Sequence, residues 1–111
     1  MPTEYNEVVN VAQRVVCPSH PGEVLKELYL AGLKISITDL AKDIKVSRKA
    51  ISAIVNGHKS VTAEMAMRLS IAMDTSPQFW LNLQANYDLW HIAREKQDCF
   101  SKIEQINLTM A

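Results

Sequence analysis

The 111-residue sequence predicts an all-α protein: a five-helix bundle containing a helix-turn-helix, with an N-terminal arm and a C-terminal tail. Three observations predict it. Helix-start residues recur ahead of apolar stripes with helical spacing. Two short helical patterns are separated by only about three residues, too few for anything but a tight turn. The positive charge is concentrated around that turn. The boundaries read as an arm over 1–19, a helix-turn-helix domain over 20–97 and a tail over 98–111, the last with a possible short helix.

The elements follow in order. Residues 1–19 carry Val8, Val9, Val11, Val15 and Val16, whose β-branched side chains favour a strand over a weak helix or a mobile arm. Pro21 opens the first helix, with Val24, Leu25, Leu28 and Tyr29 as its stripe and Gly32 placed to end it. Ser36 caps the second helix, with Asp39 three residues on; Ile37, Leu40, Ala41 and Ile44 point inward. Ser47 caps the third, whose inward residues are Ala50, Ile51 and Ile54, and Gly57 ends it. Thr62 caps the fourth, with Ala66, Leu69 and Met73 on one face. Ser76 and Pro77 open the fifth and longest, running to about Lys96. On it Phe79, Leu83, Tyr87 and Trp90 form one apolar stripe, expected to pack on the core. Leu81, Ala85, Leu89 and Ile92 form a nearly opposite stripe, assigned to a homodimer interface. A helix with two apolar faces needs a second partner.

Net charge is zero, yet its distribution is uneven. Between Leu33 and Arg68 lie seven basic residues (Lys34, Lys42, Lys45, Arg48, Lys49, Lys59 and Arg68) against three acidic ones. A basic middle between acidic flanks suits a local anion-binding face. In the helix-turn-helix unit a small residue, Ala41, sits at the helix crossing, and Val46 plugs the turn. The third helix then presents Arg48, Lys49, Ser52, Ala53 and Asn56 outward, with Ser47 at its start. A helix so equipped fits the major groove of DNA. Arg48 or Lys49 suits guanine, Asn56 suits adenine, and Ser52 suits a base or a phosphate. Ser36, Thr38, Lys42, Lys45 and Lys59 complete the assigned DNA-binding set.

Other chemistries find less support. His20, His58 and His91 are far apart, and no C-x-x-C or H-E-x-x-H spacing exists, so no metal or other cofactor is expected. No local nucleophile–base motif points to an enzyme. Cys17 and Cys99 read as reduced thiols of a cytoplasmic protein. Apolar runs are too short for a membrane span, and the start of the chain lacks the basic residues of a signal peptide.

The segment SITDLAKDIKVSRKAISAIVNG resembles the helix-turn-helix of phage-repressor-like regulators, keeping Ala41, Val46, Ser47, Ile51, Ser52 and Ile54 at that family's spacing. Lys45 stands where the family usually has glycine, a position that tends to need positive φ. The likeness continues through HPGEVL (His20–Leu25), VNGHKSVTAEMAMRLS (Val55–Ser70) and SPQFWLNLQANYDLW (Ser76–Trp90), which resemble the HigA group of antitoxins. That resemblance implies a type II antitoxin. Such a protein binds double-stranded operator DNA, represses its own operon as a homodimer, and neutralises a HigB/RelE-like mRNA endonuclease. A toxin bound together with DNA must sit off the basic middle, on the arm or the acidic tail, and the arm is favoured. Two other readings stay open: a stand-alone phage-type repressor, and an interaction module that no longer binds DNA.

Overall fold

A computed structural model describes residues 15–107. Among these residues the structure is helical, without strands. The first helix, α1, spans residues 21–33 and has three continuous parts: α-helical Pro21–Val24, a π-helical Leu25–Leu30 and α-helical Ala31–Leu33. Then come α2 (Ile37–Asp43), α3 (Arg48–Val55), α4 (Ala63–Met73), α5 (Pro77–Glu95) and a short α6 (Gln97–Phe100). The strand expected in the arm falls mainly on residues 1–14, outside the described residues; Val15 and Val16 form a bend.

The caps are local chemistry. The hydroxyls of Ser36, Ser47, Thr62 and Ser76 accept the backbone N–H three residues on, those of Asp39, Ala50, Met65 and Phe79, at 3.0–3.2 Å. Each supplies a partner for an otherwise orphaned donor, worth about 1 kcal/mol. His20 does the same for α1: its Nδ1 accepts from the Gly22 N–H at 2.9 Å.

The core is built from Leu25 and Leu30 of α1, Leu40 and Ala41 of α2 with Ile44 at its C-terminal cap, Ile51 and Ile54 of α3, Val61 of the loop that follows, Ala66 and Leu69 of α4, and Trp80 of α5. One correction concerns α1. Gly32 does not end it; the helix continues to Leu33 and stops at Lys34, which is left-handed at φ 56°. Leu28 is exposed, not part of the buried stripe. The cause is the π-helical stretch, in which the N–H of Ala31 reaches the carbonyl of Lys26, five residues back. The wider turn puts Leu25 and Leu30 on one face and swings Leu28 outward.

A second correction concerns α5. Its buried residues are Trp80 and Gln84. The expected stripe flanks that line: Phe79 and Leu83 pack against the core as expected, and Tyr87 and Trp90 are half-buried farther along the helix. The Trp80 indole N–H donates to the Thr75 hydroxyl at 2.8 Å, and its ring meets Tyr29 and Phe79. Gln84 satisfies both ends of its amide. Its Oε1 accepts from the buried Val61 N–H at 2.8 Å, and its Nε2 donates to Asp88 at 2.9 Å. A buried polar group with complete partners holds two elements in one relation. Here the loop after α3 is tied to α5.

Gly22 sets the other close contact. A Cβ at this position would overlap the carbonyl oxygen of Ile54. The start of α1 therefore lies against the backbone of α3's last turn, a proximity only glycine permits.

Candidate nucleic-acid interface

The α2–α3 turn is built from backbone bonds. The Val46 N–H donates to the Ala41 carbonyl at 3.0 Å, and Lys45 sits at φ 64°. The positive φ expected at Lys45 is thus present, at a cost of about 1 kcal/mol for a residue with a Cβ. Ala41 is buried at the crossing and Val46 packs against the core. Arg68 approaches from α4 and donates from Nη1 to the Ile44 carbonyl at 2.8 Å, with Glu64 3.8 Å from its Nε. This guanidinium braces the turn, so the charge counted at Arg68 belongs to the scaffold rather than to an outward face.

On α3, Arg48, Lys49 and Asn56 are exposed, and Ser52 and Ala53 are half-buried between them. Their spacing places all five on one helical face. The Arg48 Nε donates to the Thr38 hydroxyl at 3.1 Å, joining the first turns of α2 and α3. That bond holds the guanidinium while its two terminal nitrogens stay available for a bidentate acceptor. The Asn56 amide nitrogen lies 3.4 Å from the Ser52 hydroxyl. Ser36 and Ser47 are exposed, but their oxygens accept the cap bonds, which leaves each hydroxyl proton to donate to a phosphate. Lys42 on α2, Lys45 in the turn and Lys59 beyond α3 are also exposed.

The loop after α3 adds residues that sequence reasoning left out. The Ala53 carbonyl accepts from the N–H groups of both His58 and Lys59, at 2.8 and 3.1 Å. Gly57, at φ 76°, makes that fold possible. His58 and Ser60 consequently stand exposed beside Lys59, past the end of α3. The only signal for them was their place immediately after the terminating glycine.

The second assigned face divides in two. Leu81 is half-buried and packs against the core. Ala85, Leu89 and Ile92 line an open groove with Asp88, His91 and Glu95. His20 is 8% exposed, and burial lowers its imidazole below the ordinary 6.5, opposed by the charges of Asp88 and Glu23. With Nδ1 accepting a bond, the neutral ring carries its proton on Nε2. Among the described residues, no group of three His, Cys, Asp or Glu could hold a metal ion, and no helix is long and apolar enough to cross a membrane.

Comparison with known proteins follows this geometry. The helix-turn-helix family matches residues 25–80, which spans α2, α3 and the core around them. The chain belongs to the helix-turn-helix family. An HTH-type transcriptional regulator of Haemophilus influenzae is 44% identical over 80 residues, covering 72% of this chain and 75% of that protein. Antitoxin HigA-1 of Vibrio cholerae is 36% identical over 81 residues, covering 73% and 76%. Among solved structures, the Pseudomonas aeruginosa antitoxin HigA with the higBA promoter superposes with a TM-score of 0.77 at 37% identity, covering 81% of this chain and 99% of that one. This helix-turn-helix protein is therefore a DNA-binding regulator with the fold of the HigA antitoxins.

Proposed function

We propose that the chain is a type II antitoxin that binds its own operator as a homodimer, represses its operon and neutralises a HigB/RelE-like mRNA endonuclease. The observation that carries the reading is the α3 face, where Arg48 is held by Thr38 beside exposed Lys49, Ser52 and Asn56. The likeness to an antitoxin solved with a promoter supports the same reading. In this reading α3 enters the major groove, and Arg48 and Asn56 read base edges. Ser36, Thr38, Ser47, Lys42, Lys45 and Lys59 contact the backbone, and Ala53 offers a methyl to thymine. Ala85, Leu89 and Ile92 pair the copies over two half-sites. The toxin sits off the basic face.

Two assays test this. The chain should retard DNA from upstream of its own gene far more strongly than random DNA. Co-expression should rescue growth from the product of the neighbouring open reading frame. Retardation without rescue would favour a stand-alone repressor, a reading to which the Haemophilus influenzae relative, named only as a regulator, lends some support. Rescue without retardation would leave an interaction module.

A further inference from the structure

The outer face of α1 is left open by the rest of the described chain. Four-residue spacing puts Glu23, Glu27 and Ala31 in one line along it and Leu28 and Gly32 in the next, and all five are exposed. Two of them sit there at a cost. Leu28 is 66% exposed because the π-helical turn swings it out of the buried stripe. Gly32 lies inside the helix, where glycine is less stable than alanine. At Gly22 the Ile54 carbonyl explains the glycine; at Gly32 a Cβ would meet nothing within 4 Å. Nothing in the described chain therefore calls for a bare backbone at this point. A second molecule packed closely on the helix would.

Charge narrows what that molecule is. Neither Glu23 nor Glu27 is in an ion pair among the described residues. Both line a cleft between α1 and the last turn of α3, together with His20 and Lys26. His20 is more than nine-tenths buried, and its Nδ1 is taken by the Gly22 N–H. Its Nε2 has no hydrogen-bond partner among the described residues. The cleft thus offers two carboxylates to a cation and one N–H to a carbonyl, which suits a basic stretch of polypeptide better than a bare ion. The carboxylates would repel DNA and anionic lipid. A second copy meeting this face two-fold would set each acidic line against its twin. We propose that the outer face of α1 is the docking surface for a basic protein. Leu28 and the bare backbone at Gly32 form the apolar contact, and Glu23 and Glu27 pair with the partner's cations. The proposal rests on the antitoxin reading, in which the partner is an endonuclease that must hold RNA and so presents positive charge. The toxin then sits on α1.

Binding of the full-length chain to the purified product of the neighbouring open reading frame tests this. Gly32→Leu enters open space, so the melting temperature and operator retardation should match the native chain. Its affinity for that product should nevertheless fall about a hundredfold, as for a blocked interface centre. Glu27→Arg should slow association about tenfold at low salt and approach the native rate at high salt. Native-like affinity for Gly32→Leu would overturn the proposal and leave the antitoxin reading standing. A native-like rate for Glu27→Arg would overturn the charge pairing. Failure of the native chain itself to bind would remove the antitoxin reading and the proposal with it. Altered sedimentation of Gly32→Leu alone, with its affinity for the product unchanged, would give the face to a second copy and overturn the proposal in that way.

Discussion

The α3 face and the α5 groove are two exposed surfaces of one small domain, and they are made of opposite materials. The first is lined with hydroxyls, amides and cations, several already held by neighbours such as Thr38 and Ser52. The second has an apolar floor between two carboxylates. A surface of the first kind attracts a polyanion and is screened by salt. One of the second kind gains by leaving water and changes little with salt. Each surface should therefore fail in its own way, and substitutions can separate them.

The largest effect is expected where both surfaces share a support. Gly22→Ala forces a methyl into the Ile54 carbonyl. It should lower unfolding stability by about 3 kcal/mol in urea titrations and displace the end of α3. A variant of native stability would show that α1 yields freely at this point. Next comes Leu89→Asp, which should leave helicity intact, shift dimer to monomer, and weaken operator binding by about a hundredfold through lost linkage of half-sites. Leu81→Asp should instead lower stability, because Leu81 packs on the core. Identical behaviour of the two, in sedimentation and in urea, would mean that α5 has no separate outer face.

On the polar surface, Arg48→Ala should cost about 1–3 kcal/mol on operator DNA and less on random DNA. Thr38→Val should give a smaller loss of the same kind, restored by Thr38→Ser. Lys42→Ala and Lys59→Ala should weaken binding to all sequences and flatten its salt dependence. Equal losses on both DNAs for Arg48→Ala would assign the reading role elsewhere. Smaller still is Lys45→Gly, which relieves the left-handed residue at φ 64°. It should raise stability by up to about 1 kcal/mol while slightly weakening binding to any DNA, through the loss of one exposed positive charge.

The uneven legibility of the fold has physical causes. The capped starts at Ser36, Ser47, Thr62 and Ser76 were readable because a cap is decided within four residues. Ala41 and Val46 were readable because so short a turn leaves little choice of side chain. The α3 face followed from those two facts. By contrast, α5 carries apolar residues around most of its circumference, so periodicity could not set its phase. Packing chose Trp80, and then buried Gln84 because Val61 needed an acceptor. The π-helical turn of α1 was equally hidden, since it changes the period itself. The Arg48–Thr38 bond and the bracing role of Arg68 depend on elements brought together only by folding.

The smallest expected effect is on acid stability. The His20 imidazole titrates below 6.5 when folded, so the folded chain favours the neutral ring. Above 6.5 both states are neutral and the contribution is complete. As pH falls through 6.5 the unfolded chain binds its proton first, and stability declines until the folded value is passed. Urea midpoints between about pH 7.5 and 5.5 should fall more steeply for the native chain than for His20→Asn, which keeps a cap. Parallel slopes would mean that His20 does not drive the decline.

The Gln84 amide bears on how such a protein measures distance. Because it fastens the loop after α3 to α5, it restrains α3 from swinging independently of the long helix. Two copies joined along α5 would then act as a stiff ruler, with the reading helices a set interval apart. One base pair inserted between half-sites turns the far site by about 34–36° around the DNA axis. A flexible pair would follow that rotation, whereas this one should lose its grip on one side. Spacer length would accordingly be selected as strictly as the bases themselves, and Gln84→Ala, by loosening the joint, should widen the range of spacers accepted.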